Sequence, residues 1–90
     1  MTTAVILINV EPARTSAVAE TLSEMSGISE VYSVAGNYDL VAIARVKESE
    51  ALSDLVAERI RGVEGITRTE TLIAFRGYSR HDLDSLFSFD

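Results

Sequence analysis

The residues best suited to chemistry stand together near the middle of the chain: Gly36, Asn37, Tyr38 and Asp39. On one short loop they place a backbone-exposing glycine, an amide, a phenol and a carboxylate. That is a set for hydrogen bonding and contact, and an aromatic at a loop tip is a common contact residue. Turn chemistry alone also accounts for much of it. Gly36-Asn37 between two apolar runs is a hairpin signal, because Gly tolerates positive φ and Asn the left-handed region. Asp39 is then suited to accept a backbone N–H from the turn. A second pair, Thr69 and Thr71, shares one face of a late strand, where two hydroxyls could reach a ligand; Thr is also a favoured strand residue in its own right.

Other chemistries find no support. The single histidine, His81, has Asp82 and Asp84 beside it, but the several ligands at fixed spacing that a metal needs are not visible. Ser79, His81 and Asp82 are the residue types of a triad, yet adjacent residues on a tail cannot be held in place as a scaffold holds one. No P-loop and no Gly-x-Gly-x-x-Gly occurs. The reading is no catalytic residue, no metal and no cofactor.

Ninety residues make one domain, expected over residues 1–77 with a docking tail over 78–90. A chain this short buries only about 60–65% of its unfolded surface, so its core is marginal. A hydrophobic content of 47% is high for that size and points to self-association. Fourteen acidic and eight dispersed basic residues give a net charge of −6, which opposes direct nucleic-acid binding. There is no cysteine, hence no disulfide or Cys-ligated zinc. No run approaches the roughly 18 apolar residues of a membrane span, and the start lacks the basic and long apolar regions of a signal peptide. The expectation is a soluble cytoplasmic protein.

The elements that must position the loop follow from periodicity. Residues 3–10 are β-branched and apolar on both faces, as in a central strand. Pro12 suits a first helical turn. Val18, Leu22 and Met25 form the stripe of an amphipathic helix over 13–25, stopped at Gly27. Residues 28–35 read as an edge strand and 40–47 as a second central strand. A second helix is expected over 50–61, with Leu52, Leu55, Val56, Ile60 and Val63 inward. Residues 66–76 read as another edge strand. Gly27-Ile28 and Gly65-Ile66 enter their strands alike, a weak internal repeat. The order predicts an α+β, ferredoxin-like βαββαβ sandwich: a four-stranded antiparallel sheet with both helices on one face. Its other face is also apolar over the two central strands, so a homodimer packing sheet on sheet is expected. In the tail, Ser79 to Asp82 resembles a capping box, and Leu83, Leu86 and Phe87 follow at helical spacing.

Taken in order, Ala4 to Val10, Val31 to Leu40 with its Gly-x-x-Asp hairpin, Gly62 to Ile66, and Thr69-Glu70-Thr71-Leu72-Ile73-Ala74 resemble the effector-binding (RAM) domain of the leucine-responsive/asparagine-synthase regulator (Lrp/AsnC) family. The likeness covers nearly all of residues 3–76. It implies a dimeric α/β barrel, dimers associating into larger rings such as octamers, and amino acids bound between dimers near the hairpin. Gly36, Asn37, Tyr38 and Asp39 would then line the pocket with Thr69 and Thr71 nearby; freed backbone N–H groups suit a carboxylate and Asp39 an ammonium. Regulators of the family carry a helix-turn-helix domain before this one. Here the first strand begins by residue 3 or 4, so a stand-alone effector domain without direct DNA contact is expected, modulating a full-length regulator by mixed assembly. Two other readings stay open: a structural or protein-partner module, and an enzyme akin to the small cofactor-free monooxygenases of this architecture. The last needs a polar cavity between helices and sheet, whereas the inward stripes here are aliphatic.

Overall fold

A computed structural model of the chain describes residues 1–80; the expected capping box and the stripe Leu83, Leu86 and Phe87 lie wholly or in part outside them. Strand β1 (Thr2–Val10) leads through a 3₁₀ turn (Pro12–Arg14) into helix α1 (Thr15–Ser23). Strands β2 (Ile28–Ser33) and β3 (Leu40–Val46) follow. Helix α2 (Ser49–Asp54) continues as a π-helical segment (Leu55–Ile60), and β4 (Ile66–Ile73) completes the sheet. The sheet order is β2-β3-β1-β4, antiparallel throughout. This is the ferredoxin-like sandwich the periodicity predicts, with the two-sided apolar strands β1 and β3 at its centre.

Register explains the core. Ile6 faces Ala42 and Thr71 across the ladders, and Ile8 faces Leu40 and Thr69. Directly paired residues share a sheet face, so Ala4, Ile6, Ile8, Leu40, Ala42 and Ala44 form one buried surface under the helices. Val18 and Leu22 of α1 close it from above, with Leu52, Leu55 and Ile60. Met25, expected within the first helical stripe, lies beyond the helix end and packs half-buried against the core.

The second helix departs from expectation. Periodicity predicts a single α-helix, but Leu55 and Ile60 are both fully buried although five residues apart. In an α-helix such residues point about 140° away from one another. The wider turn of π winding, with its i→i+5 bonding, brings them closer to one face, and Arg61 N–H accordingly bonds the carbonyl of Val56 (3.3 Å). The two edge strands are also shorter than expected, ending at Ser33 and Ile73.

The internal repeat is real at the junctions. Met25 N–H bonds Leu22 C=O and Val63 N–H bonds Ile60 C=O, both at 3.0 Å. Gly27 and Gly65 then adopt φ of 97° and 103°.

Candidate functional site

The loop between β2 and β3 is wider than a two-residue hairpin turn. Val34 N–H closes it onto Asp39 C=O (3.1 Å). Gly36 takes φ 126°, outside the range of L side chains, with open space where a Cβ would stand. Asn37 does not enter the left-handed region, since no non-glycine residue among those described has positive φ. The turn thus uses the special conformation of one of the two residues that signalled it.

Apart from the carbonyl that closes the turn, Asp39 is anchored to the sheet. Its backbone N–H donates to Ile8 C=O (3.0 Å). Its Oδ2 accepts from Val10 N–H at 2.9 Å and lies 3.4 Å from Asn9 Nδ2. The last backbone pair of β1 and β3 is Ile8 with Leu40. The carboxylate therefore extends the ladder past the point where β3 turns away, and satisfies a donor that would otherwise be left over. Asn9 Nδ2 also donates to Asn37 C=O (3.0 Å), which fixes the loop backbone.

Tyr38, expected to be an exposed contact residue, is half-buried, and its hydroxyl donates to Glu70 Oε1 on β4. This bond, with the proximity of Glu70's negative charge, raises the Tyr38 pKa above its ordinary value. Glu70 pairs with Leu7, and Arg68 with Asn9, on the sheet face that carries no helix among the described residues. At the opposite edge Tyr32 donates to Glu30 (2.8 Å), which also meets Arg45 at 3.4 Å. The hydrogen bond from Tyr32, then the one from Arg45, hold the Glu30 carboxyl below its usual range. Between these two Tyr–Glu–Arg groups the open face presents half-buried Val5, Leu7, Val41 and Ile43.

Thr69 and Thr71 lie elsewhere. Paired with Ile8 and Ile6, they sit half-buried on the helix-bearing face. There they line a groove between β4 and α2 with its π continuation: Thr71 beside Ser53, Val56 and Ile73, and Thr69 beside Val56 and Arg61. The chain brings Asn37, Tyr38 and Asp39 together, with Gly36 in the same loop. It does not bring the two threonines to them within one protomer, because Tyr38 reaches the open face and the sheet lies between. The reading from sequence missed Asn9 and Glu70. A polar Asn in the otherwise apolar run of β1 is a visible cue for the first; Glu70 carries none, being one of fourteen acidic residues. Among the described residues no three of His, Cys, Asp and Glu cluster as a metal site would.

An antiparallel ferredoxin-like sandwich, open on one sheet face and carrying a polar β2–β3 loop, defines the structural class. The model of the Lrp/AsnC ligand-binding domain matches residues 3–83, and the chain belongs to that family. The transcriptional regulator FL11 of Pyrococcus furiosus is 37% identical over 73 residues, 81% of this chain and 48% of the regulator. The chain thus spans about half the length of the curated regulators it matches. The crystal structure of TTHA0845 from Thermus thermophilus is 49% identical, with a TM-score of 0.84 over 89% of this chain and all of that one. A feast or famine regulatory protein of M. tuberculosis, complexed with L-methionine, is 29% identical over 89% of this chain and 54% of its own, with a TM-score of 0.74. The family is regulatory. No helix among the described residues is long and apolar enough to cross a membrane.

Proposed function

We propose that this chain is a cytoplasmic, non-enzymatic effector module that binds an amino acid or related metabolite, with a site completed between copies of the chain. The observation that carries this is the placement of the candidate residues. The loop at 36–39 bends toward the open face, while Thr69 and Thr71 lie under the helices. A ligand that uses both groups needs one from each of two protomers. Membership of a ligand-binding family and the methionine complex of the M. tuberculosis relative support an amino acid as its chemistry. Asp39 commits Oδ2 to β1 and keeps carboxylate charge for an ammonium, and the space at Gly36 lets a ligand carboxylate approach backbone N–H groups. Dimers form through the open face, larger rings set the loop against a neighbour, and a full-length regulator of the family is the natural partner.

The test is a thermal-shift screen against the amino acids, with the mass in solution measured with and without the responding one. Ligand at 100-fold over its Kd adds about 2.7 kcal/mol, a rise of roughly 10–20 °C for a domain of this size. The reading fails if no amino acid moves the melting temperature or the mass. The open apolar face on its own favours a second reading, a protein-assembly module, for which assembly would be unchanged by every amino acid.

A further inference from the structure

We propose that a basic pocket, at the opposite end of β3 from the 36–39 loop, binds a compact phosphate group, free or carried by a small metabolite. The pocket holds about 320 Å³ and opens between the connection from α1 to β2, the end of β3 and the π segment. Three of the chain's eight Lys and Arg residues border it, Arg45, Lys47 and Arg59, and no Asp or Glu does. Glu48 and Glu50 follow Lys47 along the chain but stay outside the lining. Arg45 is committed to Glu30 at 3.4 Å, which leaves Lys47 and Arg59 as the available cations. Lys47 forms no ion pair among the described residues. Arg59, in the π segment, donates from Nη2 to the carbonyl of Ser26, another lining residue, at 3.1 Å. That bond ties the guanidinium to the pocket wall and uses one of its five donors.

Charge decides the class of ligand. The molecule as a whole, at a net charge of −6, repels anions, whereas a cleft lined by one sign of charge concentrates the field that attracts them. An ammonium beside a guanidinium suits a group with two negative charges, and the planar guanidinium fork meets phosphate oxygens in pairs. An amino acid brings its own ammonium, for which this lining holds no carboxylate. A nucleic acid would carry further phosphates across an acidic surface, while a single phosphate does not. The pocket also stands apart from the effector loop. Strand β3, Leu40–Val46, separates the two by roughly 20 Å at the rise of a strand. The phosphate site therefore uses none of the residues in the function proposed above.

Phosphorus NMR titration of the full chain at constant ionic strength tests this, with inorganic phosphate and ribose 5-phosphate as the probes. Saturable binding is expected. Lys47→Gln and Arg59→Gln should each weaken it about tenfold, and Arg59→Lys should recover part of the loss. Arg61→Gln removes the same charge outside the pocket and should change the affinity by less than about twofold. Lys47 makes no contact that holds the fold together, so its variant keeps the test open if Arg59→Gln fails to fold. Phosphate bound at least as tightly as the ester identifies the free anion as the ligand, and tighter binding of the ester identifies a phosphorylated metabolite. Absence of saturable binding by both probes, or a loss in Arg61→Gln as large as in Lys47→Gln, would overturn the proposal.

Discussion

Asp39 answers to two demands at once, and they can be separated by substitution. Its Oδ2 satisfies Val10 N–H at the end of the β1 ladder. Asp39→Ala leaves that half-buried donor unpaired, at a cost of about 1–2 kcal/mol, so a loss of ligand response in this variant would be ambiguous. Asp39→Asn keeps an acceptor oxygen and removes the charge. Its melting temperature should stay within a few degrees of wild type while the amino-acid-induced shift disappears; retention of the full shift would dissociate Asp39 from ligand recognition. Tyr38 offers a test by pH. Its pKa is raised in the folded chain by the hydrogen bond to Glu70, so the bond's contribution is complete below the ordinary tyrosine range and is lost as pH rises through the raised value. The stability gap between wild type and Tyr38→Phe should therefore be constant through neutral pH and close in strong alkali. The hydroxyl is solvent-exposed, so the gap is small. Melting curves at a series of pH values measure it, and a gap that widens with pH would contradict the assignment.

At the scale of elements, periodicity told most of the story. β1 and β3 read as central because both of their faces are apolar, and Thr2–Val10 and Leu40–Val46 do occupy the middle of the sheet. The features that escape a sequence reading depend on partners distant in the chain. Asp39 resembles a turn residue because a carboxylate has no local signature for a strand lying 29 residues earlier. The bond from Tyr38 to Glu70 spans 32 residues and crosses β1. The π segment is half legible: Leu55 and Ile60 both read as inward, but their five-residue step spans about 140° of an α-helix, which a wide apolar α-helical face also accommodates, so the pattern does not distinguish the two windings. The repeated glycine junctions are legible as pattern and mechanical in effect. At Gly65 a Cβ would stand 2.9 Å from Cβ of Arg14, in a backbone with φ of 103°. Gly65→Ala should therefore cost about 2–3 kcal/mol, a fall in melting temperature of roughly 10–20 °C. Gly77→Ala, with nothing within 4 Å, should be close to neutral. Urea unfolding of the two variants checks the contrast, and equal stabilities would remove the steric account of this junction.

At the scale of the molecule, two helices cover one sheet face, and among the described residues no helix covers the other. Val5, Leu7, Val41 and Ile43 make a contiguous apolar block on it, flanked by the Tyr32–Glu30–Arg45 group and by Tyr38, Glu70 and Arg68. An apolar centre with a polar rim is the anatomy of an interface between proteins, and in a two-fold pair the same face serves both partners. Ile43→Lys puts this to the test with little risk to the protomer fold. Ile43 is opposite Glu30 across the β2–β3 ladder, so in a free protomer the new ammonium has a carboxylate beside it and water above. In a face-to-face dimer the same ammonium lies near the centre of the interface, where burying a charge without full compensation costs several kcal/mol. A penalty of about 3 kcal/mol weakens dimerisation roughly 150-fold. Sedimentation velocity across a concentration series should show the wild-type chain as a dimer or a multiple of it. The Ile43→Lys variant should be monomeric at the same concentrations, with an unchanged far-ultraviolet circular dichroism spectrum. If the variant keeps the wild-type mass, the open face is not where the copies meet, and the site proposed between them must be sought at another surface.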